Sequence, residues 1–212
     1  GWDAFIELKK TVDEFLESLP LIQQLADPAM RERHWASLNE LTGSALNVNS
    51  EAFQLSTLLD AGLLEHAEDV EDIANSAVKE QTIEVKLGEL NQEWAIKTLS
   101  FAQFKSRGPI MLNGGATAEL IEALEETQMN LGSMMASRFV APFREEVSEW
   151  IVKLSTVSEI LEMWLQVQSM WQYLEEVFTS GDIAKQLPQE SKRFLGIDKN
   201  WAKIMSKAHE VP

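Results

Sequence analysis

No cysteine occurs among the 212 residues, and proline is scarce, with six. The absence of cysteine excludes a disulfide scaffold, a thiol nucleophile and any zinc or iron–sulfur site with cysteine ligands. It also fits a reducing, cytoplasm-like compartment, where disulfides are rare. No apolar run approaches the ~18 residues that a membrane span requires, and no signal-peptide pattern occurs. Hydrophobic residues at 45% and seven tryptophans are nevertheless enough for a packed core, so wholesale disorder is excluded.

The sequence also lacks the short motifs that carry nucleotide chemistry and hydrolysis. No phosphate-binding G-x-x-x-x-G-K-[ST] loop, no G-x-G-x-x-G and no G-x-S-x-G is present. The three histidines, His34, His66 and His209, lie far apart. A loose metal site of His66 with Glu65, Glu68 and Asp69 is one interpretation, and an acidic helix start is the simpler one. We therefore expect no catalytic, cofactor or metal site in this sequence, and an enzyme on a helical bundle is only the third alternative.

The sequence also contains few positively charged residues. Asp and Glu number 34 against 18 Lys and Arg, which gives a net charge of −16. The last 32 residues carry +2, so the first 180 carry −18. This balance disfavours nucleic acid, an anionic membrane surface and an acidic protein surface as partners.

One acidic cluster contains neither lysine nor arginine. Its members are Asp60, Glu65, Glu68, Asp69, Glu71 and Asp72. Acidic side chains favour the positive end of a helix dipole, so a solvated helix start accounts for the cluster. The alternative is a docking surface for a basic partner.

The dominant period of the apolar residues is helical. In the first segment Phe5, Leu8, Val12 and Leu16 recur at spacings of three and four. Pro20 is expected to end or kink this helix, and Asp27-Pro28 to start the next one, with Gly43 as its C-terminal cap. The fold class is therefore mainly α, an elongated multi-helix bundle or arm.

The period changes over residues 96–113, which predict one β-hairpin. β-forming residues flank the turn signal Lys105-Ser106-Arg107-Gly108. We interpret Asn113-Gly114-Gly115 as a chain reversal before helices resume at Thr117. A hairpin alone is marginal in water, so it must lie on the helices or on a partner.

The longest element is predicted to start at Pro142 and to run to about residue 179, where Gly181 ends it. One apolar face, which includes Leu154, Leu161, Gln168 and Trp171, follows this helix. Two short helices are expected afterwards, with Pro188 and Gly196 as punctuation. A subdivision into residues 1–65, 66–141 and 142–212 follows from these patterns.

Several segments resemble the linker region of dynein heavy chains. They are residues 20–22 (Pro-Leu-Ile), 30–35 (Met-Arg-Glu-Arg-His-Trp), 77–80 (Ala-Val-Lys-Glu) and, most clearly, 164–175 (Trp-Leu-Gln-Val-Gln-Ser-Met-Trp-Gln-Tyr-Leu-Glu). They run in family order over about residues 14–212. The last stretch, residues 181–190 through 208–212, is most similar to axonemal outer-arm heavy chains of the gamma type. The absence of an initiator methionine fits a piece of a longer chain.

The resemblance implies a function. A dynein linker is a mostly helical arm that lies across a ring of AAA+ modules and swings as nucleotide turns over, producing the power stroke. This sequence resembles the N-terminal part of that arm. ATP and Mg²⁺ are then expected on the ring of the parent chain, not here. The expected partners are that ring and the dynein tail with its associated chains, without direct microtubule contact, and the expected location is the cytoskeleton of a cilium or flagellum.

Two sets of residues are candidate docking surfaces of such an arm. One is the basic spot around Trp35, formed by Arg31, Arg33 and His34, for which a structural ion-pair cluster is the alternative interpretation. The other is the hairpin, with Phe101, Phe104, Arg107 and Ile110. The competing function is a helical scaffold in the heavy-chain tail that docks light or intermediate chains. In that case the acidic cluster and a Met134-Met135 patch, otherwise expected in the core, would be the partner sites.

Overall fold

Helices dominate the part of the chain that the structure describes, residues 2–51, 53–179 and 182–211 of a computed structural model. The elements are, in chain order, α1 (Trp2–Leu25), α2 (Glu32–Thr42), α3 (Leu55–Leu59), α4 (Ala67–Ala95), β1 (Phe101–Ala102), β2 (Met111–Leu112), α5 (Gly114–Ala136), α6 (Arg144–Thr179), α7 (Ile183–Gln186) and α8 (Pro188–Glu210). Short 3₁₀ helices lie at Leu63–His66 and Arg138–Phe143. The predicted mainly-α class with one hairpin is confirmed. None of the helices in the described ranges is long and apolar enough to cross a membrane.

The chain divides into two compact units. The first consists of residues 1–88 with 138–143, and the second of residues 89–137 with 144–212. The three segments that the sequence suggested are not these units, and as subdivisions of a linker they stay a prediction.

The core of the first unit is built where the ends of several helices meet. Its buried members are Leu21, Leu25, Leu38, Leu46, Leu58, Ala61, Leu63, Val70 and Ala74. Only the last two turns of α1 take part, through Leu21 and Leu25. The turns before them leave the apolar side chains of Phe5, Leu8 and Leu16 more than half exposed. The apolar face predicted for this segment is therefore only partly a core face.

Two predicted boundaries in the first unit are wrong. Pro20 does not end its helix, because it lies inside α1, which continues to Leu25; a kink at Pro20 stays a prediction. The second helix begins at Glu32 and not at Asp27-Pro28, because the Asp27 carboxylate instead accepts the Ala29 amide at 2.8 Å and closes a turn. The predicted cap Gly43 is confirmed, with φ of 66° in the left-handed region.

The second unit packs α5 and α8 against α6. Leu124 and Leu131 of α5 and Leu154 and Leu161 of α6 are almost fully buried, as is Trp171. Met134 is buried as well, as expected of a core residue, whereas Met135 is only half-buried. The long helix is confirmed, although it begins at Arg144 after the 3₁₀ helix that contains Pro142.

Two further sequence expectations differ from this unit. Helix α5 begins at Gly114 and not at Thr117, because the Asn113 side chain caps it by accepting the Ala116 amide at 3.1 Å. The end of the chain is not two short helices, because α8 runs 23 residues with Gly196 inside it. The predicted stop at Gly181 lies outside the described residues.

Candidate docking surfaces

His34 ties the start of α2 to α4 in the first unit. The Arg31 amide donates to Nδ1 of His34 at 3.0 Å. Because a backbone amide can only donate, Nδ1 is the acceptor and the ring proton lies on Nε2. That N–H donates to Oε2 of Glu80 at 2.9 Å, and the imidazole is almost fully buried. His34 therefore caps one helix and anchors it to another.

Both arginines of the basic spot are paired with carboxylates of α4. Arg33 donates from Nε and Nη2 to Oε2 of Glu80 at 2.7 and 2.6 Å. Arg31 donates from Nη2 to Glu84 at 2.8 Å and from Nη1 to the Pro28 carbonyl at 2.7 Å. These contacts neutralise the charge of the spot within the chain.

An open groove of about 600 Å³ lies beside this cluster. Besides His34 and Glu80, its charged lining residues are Glu40, Asp69 and Asp72, all acidic. The surface next to the two arginines is therefore negative, and it favours cations over anions.

The hairpin of the second unit is short and its turn is tight. β1 pairs antiparallel with β2, Phe101 opposite Leu112 and Ala102 opposite Met111. Lys105 and Gly108 carry the positive φ values that close the turn, 51° and 95°. Two residue pairs make a weak sheet, so the contacts that hold the hairpin come from the helices.

Polar side chains of α6 and α8 bind the backbone of the second strand. Gln168, itself buried, accepts the Leu112 amide at 2.7 Å and donates to the Leu112 carbonyl at 3.3 Å. The indole N–H of Trp201 donates to the Ile110 carbonyl at 3.0 Å. These bonds replace the partner strand that an isolated hairpin lacks.

The turn is fixed by two ion pairs. Both terminal nitrogens of Arg107 bind Asp198 of α8, at 2.8 and 2.9 Å, and Asp198 also accepts the indole N–H of Trp171 at 3.0 Å. Lys105 donates to Glu175, a buried carboxylate of α6. A bidentate guanidinium–carboxylate pair fixes orientation as well as distance, so the turn is held rigidly on both helices.

Aromatic rings fill the space under the turn. The Phe104 ring packs edge-on against Trp171 with centroids 4.7 Å apart, and Trp171 stacks on Trp201 at 5.3 Å. Phe101 meets the His209 ring edge-on at 5.4 Å. The hairpin is thus a packed part of the second unit.

The candidate residues of the sequence fall into these two places. Arg31, Arg33 and His34 lie in the first unit, and the four hairpin residues lie in the second. Ile110 is only 5% exposed and belongs to the core, whereas the exposed tip consists of Gln103, Lys105, Ser106 and Arg107. Docking by either surface stays a prediction.

The sequence did not reveal the carboxylates that pair with these side chains. Glu80 and Glu84 look like ordinary residues of a solvated helix face, and their partners lie about 50 positions away. Gln168 gave a usable signal, because a polar side chain on an otherwise apolar face needs a partner inside. Among the described residues, no group of His, Asp and Glu is arranged to hold a metal ion.

The resemblance found in the sequence is confirmed by comparison with known proteins. The family described as dynein heavy chain, N-terminal region 2, matches residues 1–212. The chain is 56% identical over 210 residues, 99% of its length, to the dynein gamma chain of the flagellar outer arm of Chlamydomonas reinhardtii. It is 49% identical over 211 residues to axonemal heavy chain 8 of Homo sapiens and to axonemal heavy chain 5 of Mus musculus. It spans about 5% of the length of each of these relatives. The chain therefore belongs to the dynein heavy chain family, in its N-terminal region 2.

Proposed function

We propose that this chain is part of the lever of an ATP-driven microtubule motor, and that it swings across the AAA+ ring of its parent heavy chain during the power stroke. The observation that carries the proposal is the family match over all 212 residues, together with 56% identity to a flagellar outer-arm chain. The proposed location is accordingly the axoneme of a cilium or flagellum.

Catalysis is assigned to other parts of the parent chain. The sequence carries no phosphate-binding loop, so ATP and Mg²⁺ are proposed to bind the AAA+ ring. A net charge of −16 opposes contact with an acidic track, nucleic acid or an anionic membrane. The proposed partners are the ring, the tail and the chains associated with it.

A lever needs rigid contact surfaces, and the hairpin of the second unit provides one. A swing can be driven only through contacts that differ between two states, and force passes through them only if they are rigid. The hairpin tip is exposed at Gln103 and Ser106, while its neighbours Lys105 and Arg107 are fixed to α6 and α8 by ion pairs. This combination makes the tip the proposed contact of the second unit with the ring.

Two added charges at the tip test this contact in the intact heavy chain. Gln103→Asp with Ser106→Asp alters the exposed tip without removing either ion pair. We expect microtubule gliding to slow by about threefold or more, as for a lost docking contact worth somewhat under 1 kcal/mol, while ATPase activity persists. ATPase rate and gliding velocity are measured on the same preparation.

The matched control adds the same charge elsewhere in the second unit. Gln189→Asp with Asn200→Asp changes two exposed residues of α8, and gliding velocity should stay at the wild-type value. If the tip variant, the control and the wild type all glide at the same velocity, the hairpin tip is not the contact with the ring.

A tail scaffold is the second candidate function, and the acidic groove of the first unit is the observation that favours it. Asp69 and Asp72 line this groove, and in the described ranges neither forms an ion pair with lysine or arginine. A scaffold role predicts that Asp69→Asn with Asp72→Asn releases a stoichiometric basic chain from the purified motor. Retention of every associated chain would exclude this role for the groove.

A further inference from the structure

The long helix α6 has a second apolar face that the core of its unit does not use. Ile160, Met163, Val167 and Met170 are 48–59% exposed. Their spacing of three, four and three residues places them on one stripe of the helix, beside the buried stripe that contains Leu161 and Gln168. We call this stripe the α6 seam. Apolar residues at this spacing are typical of a helix face that packs along another helix.

The α6 seam begins at an apolar cavity. Ile160 and Val157 line a space of about 300 Å³ together with Trp94, Leu99, Leu120 and Trp164. The one charged residue of the lining, Lys97, pairs with Glu93 at 3.1 Å. A cavity of this size accepts a large aliphatic or aromatic side chain, and one such anchor carries much of the free energy of a helix-in-groove contact. Seam and cavity together therefore fit a helix with one bulky anchor and smaller apolar residues behind it.

The charged side chains that α6 itself presents beside the α6 seam are carboxylates. From residue 159 to residue 179 the helix carries neither lysine nor arginine, and one of its four glutamates, Glu175, is buried and paired with Lys105. Exposed Glu159 and Glu162 lie along the side of the seam that faces away from the core. An occupant with Lys or Arg at its flanking positions is complementary, whereas a second copy of this seam would meet like charges.

The small area of the α6 seam indicates that the docked helix belongs to the same polypeptide and not to a separate partner. Four half-exposed side chains offer a few hundred Å², well below the ~800 Å² that each partner of a stable separate complex buries. A helix on the same polypeptide needs less area, because tethering raises its effective concentration. The relatives are long enough to supply it, since this chain spans about 5% of their length.

We propose that the α6 seam is the docking site of a basic amphipathic helix that lies elsewhere in the same heavy chain. Two of its four residues are methionines, whose flexible side chains adapt to partners that come and go. A docked helix can therefore bind to the α6 seam and leave it again. This inference uses the family membership of the chain and not its role as a lever.

Photo-crosslinking in the intact heavy chain tests the proposal. A benzoylphenylalanine residue replaces Val167 on the α6 seam or, as a control, Met129 of α5, which is 71% exposed elsewhere in the unit. Irradiation at Val167 is expected to give one intramolecular product, which migrates as a single heavy chain on a denaturing gel. Mass spectrometry should map it to a helix outside residues 1–212 with apolar residues three and four apart and Lys or Arg beside them.

Charge reversal on α6 tests whether the docked helix is basic. Glu159→Lys with Glu162→Lys should lower the cross-link yield by about fivefold at low salt, and Glu119→Lys with Glu122→Lys on the exposed face of α5 should leave it unchanged. A yield at Val167 no higher than at Met129, a product with another polypeptide or with a second copy, or a yield insensitive to Glu159 and Glu162 would each overturn the proposal.

Discussion

At the scale of single residues, the hairpin depends on side chains that satisfy backbone groups. Gln168 supplies both the acceptor and the donor that Leu112 requires in a place where water is excluded. A buried amide or carbonyl that loses its partner keeps the full cost of its desolvation. The hairpin is therefore more sensitive to Gln168 than to its own sheet pairing.

Replacing Gln168 with methionine keeps the volume and removes both hydrogen bonds. We expect a loss of roughly 1–3 kcal/mol in the free energy of unfolding and faster hydrogen exchange at the Leu112 amide. Urea unfolding followed by tryptophan fluorescence measures the first, and mass-resolved exchange the second.

Gln166→Met is the matched control, because Gln166 is exposed on the same helix. A solvent-exposed change of this kind should stay within about 0.5 kcal/mol of wild type. Similar small losses for both variants would show that Leu112 does not depend on Gln168.

The same residues show what the sequence can predict of the candidate surfaces. It indicated the basic spot and the turn, because Arg31, Arg33 and Arg107 stand out from their surroundings. It did not indicate that Glu80, Glu84 and Asp198 neutralise them, because each partner comes from a distant helix and an isolated Glu or Asp looks solvated. Local charge is visible in a sequence, whereas pairing at long range requires the fold.

At the scale of elements, caps decide where the helices begin and end. Asn113 and Gly43 act as caps through a side-chain acceptor and a left-handed backbone. Gly196 and Pro20 do not end their helices, because the packed faces of α8 and α1 continue past them. Proline removes one hydrogen bond, and an exposed position such as that of Pro20 tolerates the loss when the following turn is buried at Leu21 and Leu25.

Glycines at two kinds of position should respond to alanine with opposite signs. Gly43→Ala forces a left-handed φ of 66° on a residue with a Cβ, and we expect a loss of about 1 kcal/mol. Gly132→Ala lies inside α5 where a Cβ meets open space, and we expect a gain of about 0.5–1 kcal/mol. Thermal unfolding compares the two variants, and a Gly43→Ala variant as stable as wild type or more stable would contradict the assignment of Gly43 as a cap.

The period of the apolar residues predicted the type of most elements, and its limit is seen in α1 and α6. Both helices have apolar stripes at regular spacing, yet the first half of α1 and the α6 seam are exposed. Periodicity shows that a face is apolar and does not show which element covers it. That information lies in the packing or in another part of the polypeptide.

At the scale of the whole molecule, the proposed function is mechanical. The chain belongs to the N-terminal region of dynein heavy chains, carries no phosphate-binding loop and presents side chains clamped into a rigid hairpin. A lever of this kind must change its position with nucleotide while each of its compact parts keeps its internal geometry.

The most direct test is a distance measured by fluorescence energy transfer in the intact heavy chain. A donor at Glu122 of α5 is paired with an acceptor on the AAA+ ring or, as a control, at Lys192 of α8 within the second unit. We expect the donor–ring distance to change between the ATP-bound and nucleotide-free states and the Glu122–Lys192 distance to stay constant. A donor–ring distance that is the same in both states would contradict the proposal that this chain is part of a lever.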